Sequence, residues 1–241
     1  MKINKSIRTK NSVGDYIVAE FGFPNNDKEL KEMYKLRNDV YVKKNYIDKN
    51  YYQNGLDIDK YDKENKCIYF IVKINNQIIA TARLIKDKYL PTEKDCFDFQ
   101  EPEQIKKIDR SRRAEISRLI VTHPDEYFLP RHLIMFGIFD EICNYCLDNN
   151  IEGGYGFIKD KLKDKLLKIK APIYFIENFK QKYGGELLRR YFNNPNDPVW
   201  PIYYLTSNFS KYLKFIKIIF FKKEKENFYK LRLFSRLFFH Y

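Results

Sequence analysis

Residues 67–85 read C-I-Y-F-I-V-K-I-N-N-Q-I-I-A-T-A-R-L-I, and residues 114–122 read A-E-I-S-R-L-I-V-T. Two apolar, β-branched runs, Cys67–Ile74 and Ile78–Ile85, flank Asn75-Asn76-Gln77, the pattern of two antiparallel strands joined by a short turn. The second stretch is a third strand, closed by His123-Pro124. Upstream, from Asp27, the residues Leu30, Met33, Tyr34, Arg37, Val40 and Tyr41 recur at three- and four-residue steps and predict a helix. Downstream, 131–149 has helical periodicity, and Ile151–Ile158 is a strand. Lys159–Ile169 is a helix with Leu162, Leu166 and Leu167 inward, and Ile202–Leu205 is a last strand. This order predicts an α/β chain with a mixed central sheet flanked by helices. Residues 1–20 form an arm or an initial strand, and the polar, patternless segment Lys43–Lys66 is a long loop of the kind that often carries function.

Charged residues stand where a bland core would not place them. The loop D-I-D-K-Y-D supplies Asp57, Asp59 and Asp62; Arg83 interrupts an apolar strand; and Glu115-Ile116-Ser117-Arg118 sets charges in a V/I/L-rich stretch. Charges buried in a sheet need partners. Regular alternation puts Glu115 and Ser117 on one face and Arg118 on the other, with Arg83 on the neighbouring hairpin. Arg37, Arg83 and Arg118 are natural partners for Asp57, Asp59, Asp62 and Glu115. Two readings stay open: an ion-pair network that pins the loop to the sheet, or a loop that also lines a site.

Composition bounds the rest. The chain has 241 residues, 44% hydrophobic and 32% charged, with 20 Tyr, 20 Phe and a formal charge of +13. It is long enough for one domain with a real core, and it is not a disordered chain. The positive surplus implies an acidic partner: nucleic acid, an anionic bilayer or an acidic protein. From Asn208 to Tyr241 nine Lys or Arg face only Glu224 and Glu226, so much of the surplus lies in this tail. The expected division is a domain over 1–207 and a basic amphipathic tail over 208–241. The start has no apolar leader, so the cysteines are expected to be reduced and the chain cytoplasmic. Cys143 and Cys146 fall on a helical apolar run without a second Cys/His pair, which favours core thiols over a metal or redox pair.

The run Leu36-Arg37 with Tyr41, then D-x-D-x-x-D, then A-R-L-I, then E-I-S-R-L, over residues 34–122, resembles the acyl-homoserine-lactone (autoinducer) synthases. It is similar above all to their relatives, the long-chain N-acyl amino acid synthases and exosortase-associated acyltransferases. The resemblance implies an acetyltransferase-like (GNAT) fold, no bound cofactor or metal, an acidic acyl carrier protein whose phosphopantetheine thioester is the donor (with acyl-CoA as the second donor), and a small amine as acceptor. It marks Glu115, Ser117, Arg118 and Arg83 as catalytic positions, and Arg37, Tyr41, Asp57, Asp59 and Asp62 as substrate-binding ones. Where the lactone synthases have Trp this chain has Ile47 beside Tyr46, and where they open the acidic motif with Glu it has Asp57. E-I-S-R-L fits the amino acid branch better than an S-adenosylmethionine acceptor.

Such a transfer needs a base for the acceptor amine, for which Glu115 is the choice, with Asp57, Asp59 and Asp62 holding the ammonium. Backbone N–H groups beside a splayed strand meet the thioester oxygen, while Arg83 or Arg118 orders the loop or contacts the phosphopantetheine. The passage Tyr127–Leu133 has no glycine before Gly137, which disfavours a coenzyme A-dependent acetyltransferase whose pyrophosphate needs close backbone approach. His123 and His132 are turn or helix residues rather than bases. Gly153-Gly154 and Gly184-Gly185 lack phosphate-loop spacing and read as turns, and Trp200 anchors the last strand. The tail interleaves Lys with Phe, Leu and Ile, so it either lies in an anionic bilayer interface or folds back on the domain. A non-catalytic basic peripheral membrane protein is the remaining alternative; nucleic acid is disfavoured by the absence of a reader motif.

Overall fold

The computed structural model describes residues 1–10, 16–122, 131–225 and 228–231. The start of the chain is a hairpin, β1 (Lys2–Lys10) and β2 (Tyr16–Phe23), rather than an arm, because alternate residues of β2 are buried against the sheet. Helix α1 (Asp27–Lys43) begins at Asn26, whose side chain accepts the Glu29 N–H, and it buries Met33 and Arg37. The long loop contains one helical turn, α2 (Lys60–Lys63), and then come β3 (Cys67–Ile74) and β4 (Gln77–Ile85). Their turn holds Asn75 and Asn76 at φ 50° and 63°, a conformation asparagine tolerates.

A π-helical turn at Thr92–Cys96 leads into β5 (Phe97–Phe99) and α3 (Glu103–Lys106), followed by β6 (Arg113–Val121) and α4 (Arg131–Asp148). Then follow β7 (Gly153–Lys159), α5 (Asp160–Lys168), β8 (Ile173–Phe175), β9 (Phe179–Gln181), α6 (Arg189–Phe192), β10 (Val199–Leu205), α7 (Thr206–Phe220), β11 (Phe221–Lys225) and β12 (Phe228–Leu231). Ten strands form one sheet in the order β11-β12-β1-β2-β3-β4-β6-β7-β10-β8, and β5 pairs with β9 apart from it. The sheet is mixed, since β1–β12 and β6–β7 are parallel and the other pairs antiparallel.

Apolar residues on one face of the sheet, among them Phe70, Ala82, Leu84 and Ala114, pack with α4, α5 and α7 through Ile134, Phe139, Ile142, Leu166, Phe209, Leu213 and Ile216. The other face carries α1, the 44–66 loop and a cluster built on Ile47, Phe97, Leu188, Phe192 and Val199. The sequence reading differs from the structure at several points. Leu167 is 51% exposed, because α5 turns only Leu166 fully inward. Gly153 and Gly154 are not a turn but the start of β7, where a Cβ on Gly154 would lie 1.7 Å from the Ala114 carbonyl oxygen. The described part of the expected tail forms α7, β11 and β12, with α7 packed on α4, which is the fold-back alternative of the sequence reading. His123, residues 127–130 of the glycine-poor passage, and the tail beyond Leu231 lie outside the described residues; His132 falls within α4.

Candidate functional site

The D-x-x-D spacing of the loop has a local cause. Asp59 caps α2 by accepting the Tyr61 and Asp62 N–H groups, and Asp62 in turn accepts the Asp59 N–H at 2.9 Å, a reciprocal capping box. The cap fixes Asp59 and Asp62, while the Asp57 N–H is held by the Tyr34 carbonyl of α1. Arg37 of α1 donates from Nε to Asp57 (2.9 Å) and from Nη2 to Asp62 (3.1 Å). Arg83 of β4 grips Asp59 with both Nη atoms at 2.8 Å and reaches Asp62 at 2.8 Å. Arg118 of β6 donates from Nε to Asp57 (2.8 Å) and from Nη2 to Asp57 and Asp59, both at 3.2 Å. Tyr52 and Tyr69 complete the network with hydroxyl bonds of 2.8 Å to Asp57 and 2.9 Å to Asp62.

Three guanidiniums thus face three carboxylates, and the set is neutral. Burial pulls the Asp57 carboxyl up, but Arg118 and Arg37 more than offset it and hold it well below the usual carboxylate range. Arg37 is 0% exposed and Asp57 1%. Every one of the aspartates expected at the acceptor ammonium is engaged by two arginines. The network fastens the loop and α1 to the strands beneath.

Arg118 departs from the face that regular alternation predicts. Pairing of β4 with β6 runs Arg83↔Ser117 and then Thr81↔Ile120, so two residues of β6, Arg118 and Leu119, oppose Ala82 alone. This is a β-bulge, and Arg118 sits in it at φ 54°. The extra residue resets the alternation, so Arg118 joins Arg83 on the loop side instead of pointing away. Ser117 accepts the Arg83 Nε–H at 3.0 Å. The bonds to Asp57 and Asp59 hold an arginine in a region that non-glycine residues rarely occupy.

Just before the bulge the sheet opens. β6 and β7 pair in parallel only from Arg113↔Gly153 to Glu115↔Tyr155, although both strands continue to Val121 and Lys159. Glu115 marks the last pair and is 0% exposed. One carboxylate oxygen accepts the Thr92 N–H at 2.7 Å; Oε1 has no partner among the described residues. Burial pushes this carboxyl up to about 8.

On the loop side of the opening, the Arg118 guanidinium lies 5.4 Å from the centre of the Tyr41 ring, and Tyr41 meets Tyr46 edge-on, as Tyr46 meets Tyr191. Lys159 enters this aromatic group from β7. Its ammonium donates to the Tyr191 and Asp197 backbone carbonyls and faces the Tyr191 ring at 4.5 Å, with no carboxylate in ion-pair range among the described residues. Burial lowers its pKa. On the helix side, Ile116, Phe139, Ile142, Tyr204 and Phe209 line an apolar crevice with Cys143 and Cys146. Both thiols are pushed up by burial, to about 11 and about 12, as core thiols are. Trp200 is a bridge, donating to Asp160 at 2.8 Å beneath the Lys163 ammonium.

Sequence reasoning missed Tyr52, Tyr69, Thr92, Lys159 and Tyr191. Tyr69 was findable, since hairpin register places it opposite Arg83. Tyr52 stands in a loop, Thr92 in a π-helical turn and Tyr191 in a four-residue helix, and Lys159 is one buried lysine that no spacing rule marks.

The chain matches the model of the FeeM N-acyl amino acid synthase family over residues 32–152, which contains every residue of the Arg–Asp network and Glu115. No curated protein matches it. Among solved structures it is similar to FeeM, an N-acyl amino acid synthase from uncultured soil microbes, at 13% identity and TM-score 0.57, covering 84% of this chain and 98% of that one. It is similar to the AHL synthase LasI at 15% identity and TM-score 0.56, covering 80% and 91%. The CoA-dependent acyl-homoserine lactone synthase BjaI, solved with SAM and isopentyl-CoA, is 12% identical with TM-score 0.54, covering 88% and 89%. These likenesses show the fold, a mixed sheet flanked by helices, shared with the AHL synthases and FeeM. With half of its length matched by the family model, the chain belongs to the FeeM family of N-acyl amino acid synthases and is an N-acyltransferase.

Proposed function

We propose that the enzyme transfers a fatty acyl group from an acyl carrier protein thioester to the α-amine of a free amino acid. The observation that carries this reading is the parting of β6 and β7 at Glu115, which puts a buried carboxyl with an unpaired oxygen at the mouth of a gap between strands. An acceptor arrives as an ammonium and must lose a proton before its nitrogen attacks. A carboxyl held near pKa 8 is suited to take that proton close to physiological pH. The C–N bond then forms, the C–S bond breaks, and the thiol leaves protonated, with one proton released overall. No acyl-enzyme is needed. Backbone N–H groups of β6 beyond the last pair are free of strand partners on that side and suit the oxygen that gains charge.

The remaining residues take supporting parts. Arg83 and Arg118, locked by Asp57, Asp59 and Asp62, hold the loop, Ser117 and the bulge in place, and Arg37 closes the network from α1. Tyr41 packs on Arg118 as a wall of the acceptor site. Lys159 supports an amino acid over a simple amine, because it is a buried cation with no carboxylate in ion-pair range among the described residues, beside an Arg–Asp network whose charges cancel. The basic surplus of +13 suits an acidic carrier protein. An acyl-CoA donor is the second reading, favoured by the likeness to BjaI.

The test is mass spectrometry of reactions containing purified enzyme, one long-chain acyl thioester on carrier protein or on CoA, and either a mixture of amino acids or S-adenosylmethionine. N-acyl amino acids made faster from the carrier donor are the expected outcome. A lactone product, or faster turnover with acyl-CoA, would replace the acceptor or the donor named here.

A further inference from the structure

Helix α7 has two apolar faces. Phe209, Leu213 and Ile216, at i, i+4 and i+7, are buried against the domain. On the opposite side Lys211, Phe215 and Ile218 repeat the same spacing, and there Phe215 is 59%, Ile218 69% and Ile219 42% exposed. Three of the largest exposed apolar side chains of the described residues therefore stand on one helical turn and a half. An ordinary surface helix keeps its outer face polar, and a cluster like this marks a place of contact. Lys211 and Lys214 are exposed among these residues, in a region that carries much of the chain's positive surplus.

We infer that the outer face of α7 docks on an anionic phospholipid surface. The face is a convex helix with isolated protruding side chains, which suits insertion between lipid headgroups, whereas a protein partner would need a complementary groove. Phe215, Ile218 and Ile219 enter the headgroup and acyl boundary, while the lysines extend along the helix to the phosphates. A second copy of the chain is disfavoured, because a twofold contact through this face would set Lys211 and Lys214 against their own counterparts. No described helix is long and apolar enough to cross a membrane, so the contact is interfacial.

The inference is tested without reference to the reaction, by co-sedimentation of the full chain with vesicles of phosphatidylglycerol and phosphatidylcholine or of phosphatidylcholine alone. The wild type should sediment with the anionic vesicles and be released by salt. Phe215→Ser with Ile218→Ser, and separately Lys211→Glu with Lys214→Glu, should each weaken binding on the order of tenfold or more while the circular dichroism melt is unchanged. Failure of the wild type to bind would overturn the proposal. So would binding by the Phe215/Ile218 variant equal to the wild type, which would place the contact elsewhere in the chain. Dimerisation lost in that variant, or an acidic carrier protein retained by the wild type and released by the variant, in either case without vesicle binding, would assign the face to a protein instead.

Discussion

Glu115 is a carboxyl that folding makes a weaker acid, and the sign of that shift has a measurable consequence. Its folded pKa, about 8, stands above the unfolded value of about 4.3, so the folded chain holds the proton more tightly. The stabilisation this gives is complete below the unfolded value and is lost as pH rises through about 8. Glu115→Gln keeps the shape and removes the titration. It should therefore match the wild type in urea unfolding below about pH 4 and exceed it near pH 9, by ~1–4 kcal/mol. Asp57 is shifted the other way, and its loss leaves Arg37 and Arg118 facing each other without a carboxylate between them. Asp57→Ala should cost ~3–5 kcal/mol in the same measurement, because it leaves three arginines against two carboxylates, with part of the loss restored when Arg37 is also replaced by Met.

At the scale of elements, the paired stretch of β6 and β7 that precedes the opening depends on glycine. A methyl on Gly154 would strike the backbone of Ala114, which no rotamer change relieves. Gly154→Ala should lower the melting temperature, at a cost of ~1–3 kcal/mol, and reduce activity. Gly184→Ala, where the added carbon meets only the Lys182 carbonyl oxygen at 4.0 Å, should do neither. The contrast shows which parts of the fold are legible in sequence. The β3–β4 hairpin, α1, α4 and the Glu115 strand are long and periodic, and they stand where the pattern places them. The bulge is not legible, because it depends on one extra residue and is held by an arginine rather than the glycine or asparagine that usually marks positive φ. The pairing of charges in the network is legible in its members, Arg37, Arg83, Arg118 and the aspartates. Its closure is not, since it rests on a loop folding over a sheet. β5, β8, β9 and α6 are three or four residues long and too short for any period to show.

At the scale of the molecule, the residues after Leu205 complete the domain. Phe209, Leu213 and Ile216 cover Phe139 and its neighbours on α4, and β12 adds itself to β1 in parallel. A chain ending at residue 205 should lose near-ultraviolet circular dichroism and cooperative melting, because the α4 core face would be left open to water. The whole sheet is thus one support. Its far edge joins β12 to β1, and its centre parts where Glu115 stands.

That parting, with Glu115 as base, is the central claim. The most direct test is the initial rate of N-acyl amino acid formation from pH 6 to 10, for wild type and Glu115→Gln with the same thioester and amino acid. The account predicts a wild-type rate that rises with an apparent pKa near 8, and a Glu115→Gln rate lower by about 10²–10⁴-fold with that rise absent. A folded Glu115→Gln protein with the wild-type rate and the same pH profile would contradict it, and would leave the carboxyl as a structural partner of Thr92 alone.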